Sequence, residues 1–215
     1  MRIRQDRKLP ADFLNILRSL EQSYLSELDP IRQSGFGGGS ARWRAEREPI
    51  LEAVESGGDF LDVGCANGYL LECLMRWGRE RAINITPFGL DIGTGLIALA
   101  RKRFPEYKGN FYIGNAWDWI PPRKFRYVYS LFDCVPENFL EEYIYRLYDR
   151  FVAPGGRLIL GAYGSKSRRT PPYDIAEFIK SMELQISGKA VVGNPPVALP
   201  LANCSKASSI RSWSK

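Results

Sequence analysis

Hydrophobic positions divide the chain into a helical first quarter and a longer stretch in which short apolar runs alternate with helical segments. Over residues 11–28, apolar side chains recur at intervals of three and four, which predicts an amphipathic helix. A glycine-rich loop, SGFGGGS, follows at 34–40, and WRAEREPILEAV at 43–54 predicts a second helix that breaks or begins near its proline. We therefore expect residues 1–56 to form an N-terminal helical extension and possible lid.

The remainder, residues 57–215, has the pattern of βαβ units, which are typical of a doubly wound, mostly parallel sheet with helices on both faces. The predicted strands are 59–63, 85–91, 109–113, 126–131 and 156–163. The predicted helices and turns are 68–77, 94–103, 115–119, 137–151 and 174–182. Segments 184–192 and 207–214 are expected to pair as a hairpin at the sheet edge. Both parts together are expected to form a single α/β domain.

Composition supports a folded protein in water. The chain has 215 residues, of which 45% are hydrophobic and 25% charged, as is usual for one globular domain. It contains neither an apolar run long enough to span a membrane nor a recognisable secretory signal, so we expect a cytoplasmic protein without a membrane partner. Its four cysteines are widely scattered and are expected to be reduced thiols. Because histidine is absent, the commonest general base is missing, and we expect no metal site.

Positive charge leaves the class of partner open. The net charge of +6 comes from short basic clusters, and such clusters suit a nucleic acid or another phosphate-bearing partner. The alternative is that they are solvated helix ends, since cations are favoured in the last turn of a helix and residues 101–103 end a predicted one. Charge alone does not decide between these two interpretations.

The segment FLDVGCANGYLLECL at 60–74 carries the clearest chemical signal. An apolar strand runs into Asp62, small residues follow at Gly64, Ala66 and Gly68, and an apolar helix comes next. Small residues let the backbone approach a ligand closely, and Asp62 places a carboxylate beside it. This pattern predicts a ligand held at a strand-to-helix turn.

Two ligands use such turns, a dinucleotide and S-adenosylmethionine. A dinucleotide places its diphosphate on the helix N-terminus and requires a third glycine where this chain has Tyr69. Asp62 would also repel a diphosphate, whereas it would attract the ammonium and sulfonium groups of S-adenosylmethionine. The two residues together favour the cationic ligand.

Two later strand ends add further candidates. Asp91, in GLDIG, stands where a carboxylate accepts hydrogen bonds from ribose hydroxyls, a feature that NAD enzymes share. In GNAWDW, Asn115 and the Ala116 amide are expected to contact the adenine edge, with Trp117 or Trp119 on its face. Alternatively, Asp62 and Asp91 are helix caps and the tryptophans are core residues.

Taken in this order, FLDVGCANG, GLDIG, GNAW and APGGRLIL resemble class I S-adenosylmethionine-dependent methyltransferases over residues 59–163. The resemblance implies a seven-stranded sheet whose last strand is antiparallel, and S-adenosylmethionine as cofactor. The cofactor-binding positions expected by this resemblance, in chain order, are Asp62, Gly64, Cys65, Ala66, Asn67, Gly68, Asp91, Ile92, Asn115, Ala116, Trp117 and Ser130.

The chain departs from the family pattern at two positions. Ala66 replaces the usual second glycine, which we expect to be tolerated if its backbone φ is negative. Asn115 stands where the family often has aspartate, and we expect weaker binding of adenine in the same pose.

The methyl acceptor cannot be read from the sequence. SLFDCVPEN lacks the Asn/Asp-Pro-Pro-aromatic pattern of many enzymes that methylate amino groups of nucleic acid bases. A small-molecule acceptor is therefore preferred, with Asp133 and Glu137 as candidate bases and a roof of aromatic residues, Phe36, Trp43, Trp117, Trp119, Phe132 and Phe139. An RNA or protein methyltransferase, or a non-catalytic S-adenosylmethionine-binding partner protein, remains an alternative.

The glycine-rich loop suggests a moving part. We expect residues 36–47 to close over the pocket, with Arg42 and Arg44 reaching the carboxylate of the cofactor. The alternative is a flexible linker between two packed helices.

Overall fold

Five parallel strands form the central sheet of the computed structural model, which describes residues 7–163, 173–192 and 197–199. The strands follow the spatial order β3-β2-β1-β4-β5. They are β1 (Gly58–Val63), β2 (Ile85–Asp91), β3 (Phe111–Ile113), β4 (Phe125–Leu131) and β5 (Val152–Gly161). The five predicted strands are confirmed, although β5 begins earlier than expected because its first residues pair with β4 across a register shift.

The prediction of a seven-stranded sheet with an antiparallel last strand is wrong for the described part of the chain. The remaining strands there, β6 (Ala190–Val192) and β7 (Val197–Leu199), pair with each other in a separate antiparallel sheet. The sequence between them, GNPP, is rich in turn-forming residues and favours pairing of these close neighbours. Segment 207–214, the expected partner of 184–192, lies outside the described residues.

Helices connect the strands. They are α1 (Ala11–Leu25), α2 (Ser40–Arg47), α3 (Tyr69–Glu80), α4 (Thr94–Arg103), α5 (Leu140–Arg146) and α6 (Ile175–Ser181). The predicted second helix changes at Pro49 into a 3₁₀ segment, Glu48–Ala53, because proline lacks the amide that would continue an α-helix. The predicted helix at 137–151 is α5 flanked by one 3₁₀ turn and one π turn.

Alternating strand residues bury two separate cores. Phe60, Tyr127 and Ile159 pack against α2, α3 and α4 on one face of the sheet. Residues of opposite parity, such as Leu61 and Val128, pack against α5 and α6 on the other. No helix of the described residues is long and apolar enough to cross a membrane.

The predicted N-terminal extension packs in two different ways. Ile31, Phe36, Trp43 and Ile50 are buried in the same core as the sheet. In contrast, α1 has no fully buried residue among its fifteen and lies on the surface of the domain. The segment after α1 is thus part of the domain core, and α1 itself is held by few contacts.

Asn67 joins this segment to the turn after β1. Its side chain is fully buried, and its amide donates to the Pro30 carbonyl at 3.0 Å and to Gln33 Oε1 at 3.1 Å. Its carboxamide oxygen accepts from the Tyr69 amide at 3.1 Å, which caps the first turn of α3. One side chain therefore connects three parts of the chain.

We predict that Asn67→Ala lowers the free energy of unfolding by about 2–4 kcal/mol, because the substitution leaves buried polar partners without hydrogen bonds. Urea denaturation followed by circular dichroism measures the change. Asn138→Ala is the matched control, since the Asn138 side chain is exposed, and it should stay within about 0.5 kcal/mol of the parent protein. Equal stability of the two variants would contradict the linking role of Asn67.

Candidate functional site

A cavity of about 180 Å³ lies over the carboxyl ends of β1 to β4. The chain moves outward from β1 to β2 and β3 and then returns to place β4 on the other side of β1. In open α/β sheets, ligands bind at such a reversal of strand order. The sheet side of the cavity consists of residues that follow the strands, Gly64, Ala66, Asp91, Ile92, Gly114, Asn115, Ala116, Leu131, Asp133 and Cys134.

Helix α1 and the loop after it form the opposite wall. Leu17, Leu20, Glu21 and Tyr24 of α1 line the cavity together with Ser34. These positions recur every three or four residues, so one face of α1 covers the site. Helix α1 therefore covers the cavity. The cover predicted from the sequence was residues 36–47, which follow α1 in the chain.

The turn after β1 has a strained backbone. Gly64 and Gly68 have φ values of 86° and 75°, which glycine adopts readily. Ala66 also has a positive φ, 46°, so the condition under which alanine was expected to be tolerated here is not met. A non-glycine residue in this region costs about 1–2 kcal/mol, and surrounding contacts must offset the strain.

Asp91 supplies the contact that holds Ala66 in place. Its Oδ2 accepts from the Ala66 amide at 2.8 Å, and its Oδ1 accepts from the Gly93 amide at 2.8 Å. Asp91 therefore closes the turn before α4 and also lines the cavity, but it does not cap α4 as the alternative interpretation expected, because Gly93 lies before the first helical residue. Burial raises the pKa of Asp91, the two amide hydrogen bonds oppose this effect, and the Glu21 carboxylate adds to it.

Glu21 is a site residue that sequence reasoning missed. Its Oε1 accepts from the Gly95 amide at 2.8 Å, so α1 reaches the N-terminus of α4. Asp91 Oδ1 and Glu21 Cδ each lie 3.1 Å from the point that a side chain at Gly93 would occupy. The sequence signal was an acidic residue inside the apolar stripe of α1.

Asp62 lies behind this turn and is only 2% exposed. Burial, and to a smaller degree the charge of Asp91, raise the pKa of Asp62 to about 8, and Arg47 opposes the change. At neutral pH the carboxyl group is therefore mainly protonated in the ligand-free protein. A cation placed beside it would favour the ionised form.

The expected adenine contacts lie only partly in the cavity. Asn115 and Ala116 line it, and Asn115 Oδ1 accepts from the Trp117 amide at 2.8 Å. Trp117 instead lies in the core, where its indole N–H donates to the Arg7 carbonyl at 2.6 Å and its ring packs edge-on against Phe139. Trp119 packs against Tyr112 and Phe151.

Ile92 lines the cavity, whereas Gly68, Ser130, Cys65 and Asn67 are not among the residues that line it. The Ser130 hydroxyl lies 2.7 Å from the Tyr143 hydroxyl. A side chain at Gly68 would contact Phe104 and Ala100, so this glycine permits close packing of α4. Cys65 is buried beside Gly89, and Asn67 is held by the extension.

Of the two candidate bases, Asp133 lines the cavity, while Glu137 is exposed on a neighbouring turn. The proposed aromatic roof does not form over the site, because four of its members are core residues. Phe36, Trp43, Trp117 and Phe139 are each buried to more than nine-tenths.

The segment that was expected to close over the pocket is packed against α3. Trp43 contacts Tyr69, and its indole N–H donates to Cys73 Sγ at 3.4 Å. Arg42 pairs with Glu46 at 2.6 Å, and Arg44 pairs with Glu48 at 2.7 Å and with Glu80. Both guanidinium groups are thus engaged in ion pairs of this surface.

Comparison with solved structures relates this fold to methyltransferases. A Burkholderia thailandensis 1,6-didemethyltoxoflavin-N1-methyltransferase, with 1,6-didemethyltoxoflavin and S-adenosylhomocysteine bound, superimposes with a TM-score of 0.63 at 14% identity over 93% of each chain. The putative methyltransferase of Haloferax volcanii in complex with its Trm112 activator gives a TM-score of 0.58 at 17% identity, over 82% of this chain and 80% of that one.

A third structure, the DhpI complex with S-adenosylhomocysteine, gives a TM-score of 0.56 at 18% identity, over 86% of this chain and 91% of that one. No family model matches the chain, and no curated protein sequence matches it. The structure therefore has the class I S-adenosylmethionine-dependent methyltransferase fold, as the sequence resemblance predicted.

The raised pKa of Asp62 predicts how stability changes with pH. The unfolded chain ionises Asp62 near pH 4, whereas the folded protein holds the proton up to about pH 8. The protonated Asp62 therefore contributes its full stabilisation of the folded state below about pH 4, and this contribution is lost as the pH rises to about 8. We expect the unfolding free energy of the parent protein to fall more steeply between pH 5 and pH 8 than that of Asp62→Asn, measured by urea denaturation at each pH. The same dependence of the unfolding free energy on pH in both proteins would contradict the raised pKa of Asp62.

Proposed function

We propose that this protein is an S-adenosylmethionine-dependent methyltransferase whose cofactor lies in the cavity at the ends of β1 to β4. One observation carries the proposal. The cavity occupies the ligand position of the fold, and the described residues that line it include three carboxylates, Glu21, Asp91 and Asp133, and no basic side chain. An acidic cavity favours a ligand that carries an ammonium and a sulfonium, and it disfavours a diphosphate.

The N-terminus of α3 supports the same choice. In dinucleotide-binding proteins, free amides at this place receive the diphosphate. Here the Asn67 carboxamide accepts from the Tyr69 amide, and the side chain of Asn67 is locked to Pro30 and Gln33. The amide that would meet a phosphate is thus already bonded within the protein.

Several residues at the cavity are assigned to parts of the cofactor. Asp91 lines the cavity and accepts from ribose hydroxyls through the lone pairs that its backbone hydrogen bonds leave, with Glu21 close by. Asn115 and Ala116 adjoin the adenine, while Gly64 and Ala66 allow the methionine part to approach the backbone. Asp62 lies near the ammonium group, where ionisation is favoured once the ligand binds.

When bound, S-adenosylmethionine would supply an electrophilic methyl group for in-line displacement, and the thioether of S-adenosylhomocysteine would be the leaving group. The protein contributes alignment of the two reactants and exclusion of water. Leu17 and Leu20 of α1 close the solvent side of the cavity. Asp133, at the β4 end of the cavity, is the side chain we assign to accept a proton from the acceptor when one is released.

We assign a small molecule as the acceptor. Helix α1 covers the cavity that we assign to the cofactor, and a covered site suits a small reactant better than a macromolecule. The Burkholderia neighbour was crystallised with 1,6-didemethyltoxoflavin. We interpret the basic clusters of the surface as solvated groups that do not bind the acceptor.

We predict that Asp91→Asn reduces the affinity for S-adenosylhomocysteine at least tenfold, because it removes the charge from two hydrogen bonds to ribose, each worth about 1.5–3 kcal/mol. Isothermal titration calorimetry measures the affinity, and thermal denaturation checks the fold. Asp118→Asn, at an exposed position nearby, should bind like the parent protein. Unchanged affinity in the Asp91 variant would mean that Asp91 holds the two turns but does not bind ribose.

We further predict that binding protects the region around α1 from proteolysis. Because α1 has no fully buried residue, it opens readily in the free protein, and the bound cofactor adds contacts to Leu17, Leu20 and Glu21. Cleavage within residues 11–39 should slow in the presence of S-adenosylhomocysteine, as followed by mass spectrometry. Identical cleavage with and without ligand would contradict the role of α1 as a cover.

A further inference from the structure

A second cavity lies between α2 and α3. It is an open groove of about 640 Å³, which falls in the size range of small-ligand sites. The described residues that line it include none of those that line the cavity at the strand ends. On α2 it is lined by small side chains such as Ala41 and Ala45, and on α3 by the aromatic residues Tyr69 and Trp77. This α2–α3 groove therefore offers space beside aromatic rings that the proposed function does not use.

Trp77 gives the groove an unmatched hydrogen-bond donor. The residue is 1% exposed, and its indole N–H has no acceptor among the described residues. The indole N–H of Trp43, which also lines the groove, donates to Cys73 Sγ at 3.4 Å. Most buried N–H groups are paired, and an unpaired one destabilises the free protein. Trp77 therefore lacks an acceptor that a ligand could supply.

Two guanidinium groups flank the Trp77 ring. Those of Arg44 and Arg76 have their central carbons 5.7 Å and 6.0 Å from the ring centre. The charge of Arg44 is already balanced, because Arg44 pairs with Glu48 at 2.7 Å and with Glu80 at 2.9 Å. Of these two arginines, only Arg76 brings an unbalanced positive charge to the ring.

Arg76 has no carboxylate partner in the described part of the chain. Its Nη2 lies 3.8 Å from Cys73 Sγ, and sulfur is a weak acceptor. Glu72, one helical turn earlier on α3, is paired with Arg103. The exposed guanidinium of Arg76 thus stays available to an anion, with which it can form two parallel hydrogen bonds.

We propose that the α2–α3 groove is a second ligand site, which binds a small molecule with a flat ring and an anionic group. Tyr69 and Trp77 pack against the ring, and Arg76 pairs with the anion. The Trp77 N–H donates to the ligand once the flexible arginine side chains beside the indole shift. A single unbalanced cation does not suit a nucleic acid, whose phosphates require several. The acidic cavity at the strand ends repels the same anion, so this site is independent of the proposed function.

Phenyl phosphate is the probe, since it combines a flat ring with an anion. The chain has five tryptophans, and a two-dimensional ¹H–¹⁵N NMR spectrum of the full chain shows their indole N–H signals. Triple-resonance assignment identifies the signal of Trp77. We expect phenyl phosphate to shift this signal in a saturable way and to leave the signal of Trp117, which is bonded to the Arg7 carbonyl, in place. Inorganic phosphate, which lacks the ring, should bind at least tenfold more weakly.

Arg76→Gln should lose at least tenfold in affinity for phenyl phosphate in the same titration, because it removes the charge that pairs with the anion. Arg79→Gln, which is also exposed and lies one turn further along α3, is the matched control and should bind like the parent protein. Thermal denaturation checks that both variants are folded.

Three results would overturn the second site. They are the absence of a saturable shift at Trp77, equal affinity of Arg76→Gln and the parent protein, and equal affinity for phenyl phosphate and inorganic phosphate. Displacement of phenyl phosphate by equimolar S-adenosylhomocysteine would also overturn it, since that result would place the probe in the cofactor cavity. Failure of the parent protein to bind S-adenosylhomocysteine would instead overturn the proposed function.

Discussion

The Asp91 carboxylate joins the two turns on which the rest of the site depends. One oxygen holds the amide of Ala66 in the turn after β1, and the other holds the amide of Gly93 in the turn after β2. Ala66 adopts a left-handed backbone that alanine seldom occupies, and this hydrogen bond keeps it there. The carboxylate thus shapes the floor of the cavity and remains at its surface as an acceptor. Asp91 thus holds two turns together and also lines the cavity.

The N-terminal part of the chain completes the site. Asn67 fixes the loop after α1 to the turn after β1, and Glu21 brings a carboxylate from α1 to the start of α4. The sheet alone would offer an open groove, and the contacts of Asn67 and Glu21 close it into a cavity lined by three carboxylates. The part of the chain from Leu17 to Ser34 therefore contributes to the candidate site as well as to the fold.

Sequence patterns predicted the central strands well because β1, β2 and β4 are buried along most of their length and leave compact apolar runs. Asp91, Gly64 and Asn115 were identified because their chemistry follows directly from their place after a strand. Glu21 was missed because its place at the cavity depends on how α1 packs, and no local spacing encodes that packing. Trp117 was misplaced for a related reason, since an aromatic ring at a strand end suits a ligand face and a core equally well. The backbone of Ala66 could not be inferred from residue type, because alanine ordinarily avoids the conformation that Asp91 enforces.

The central claim is that the acidic cavity binds a cationic adenosyl ligand. A paired titration tests this claim most directly. Isothermal titration calorimetry of the purified protein with S-adenosylmethionine and, separately, with NAD compares a ligand that carries positive charge with one that carries a diphosphate. We expect saturable binding of S-adenosylmethionine and no measurable heat with NAD at the same concentrations. Binding of NAD without any response to S-adenosylmethionine would contradict the assignment of the cavity to a cationic ligand.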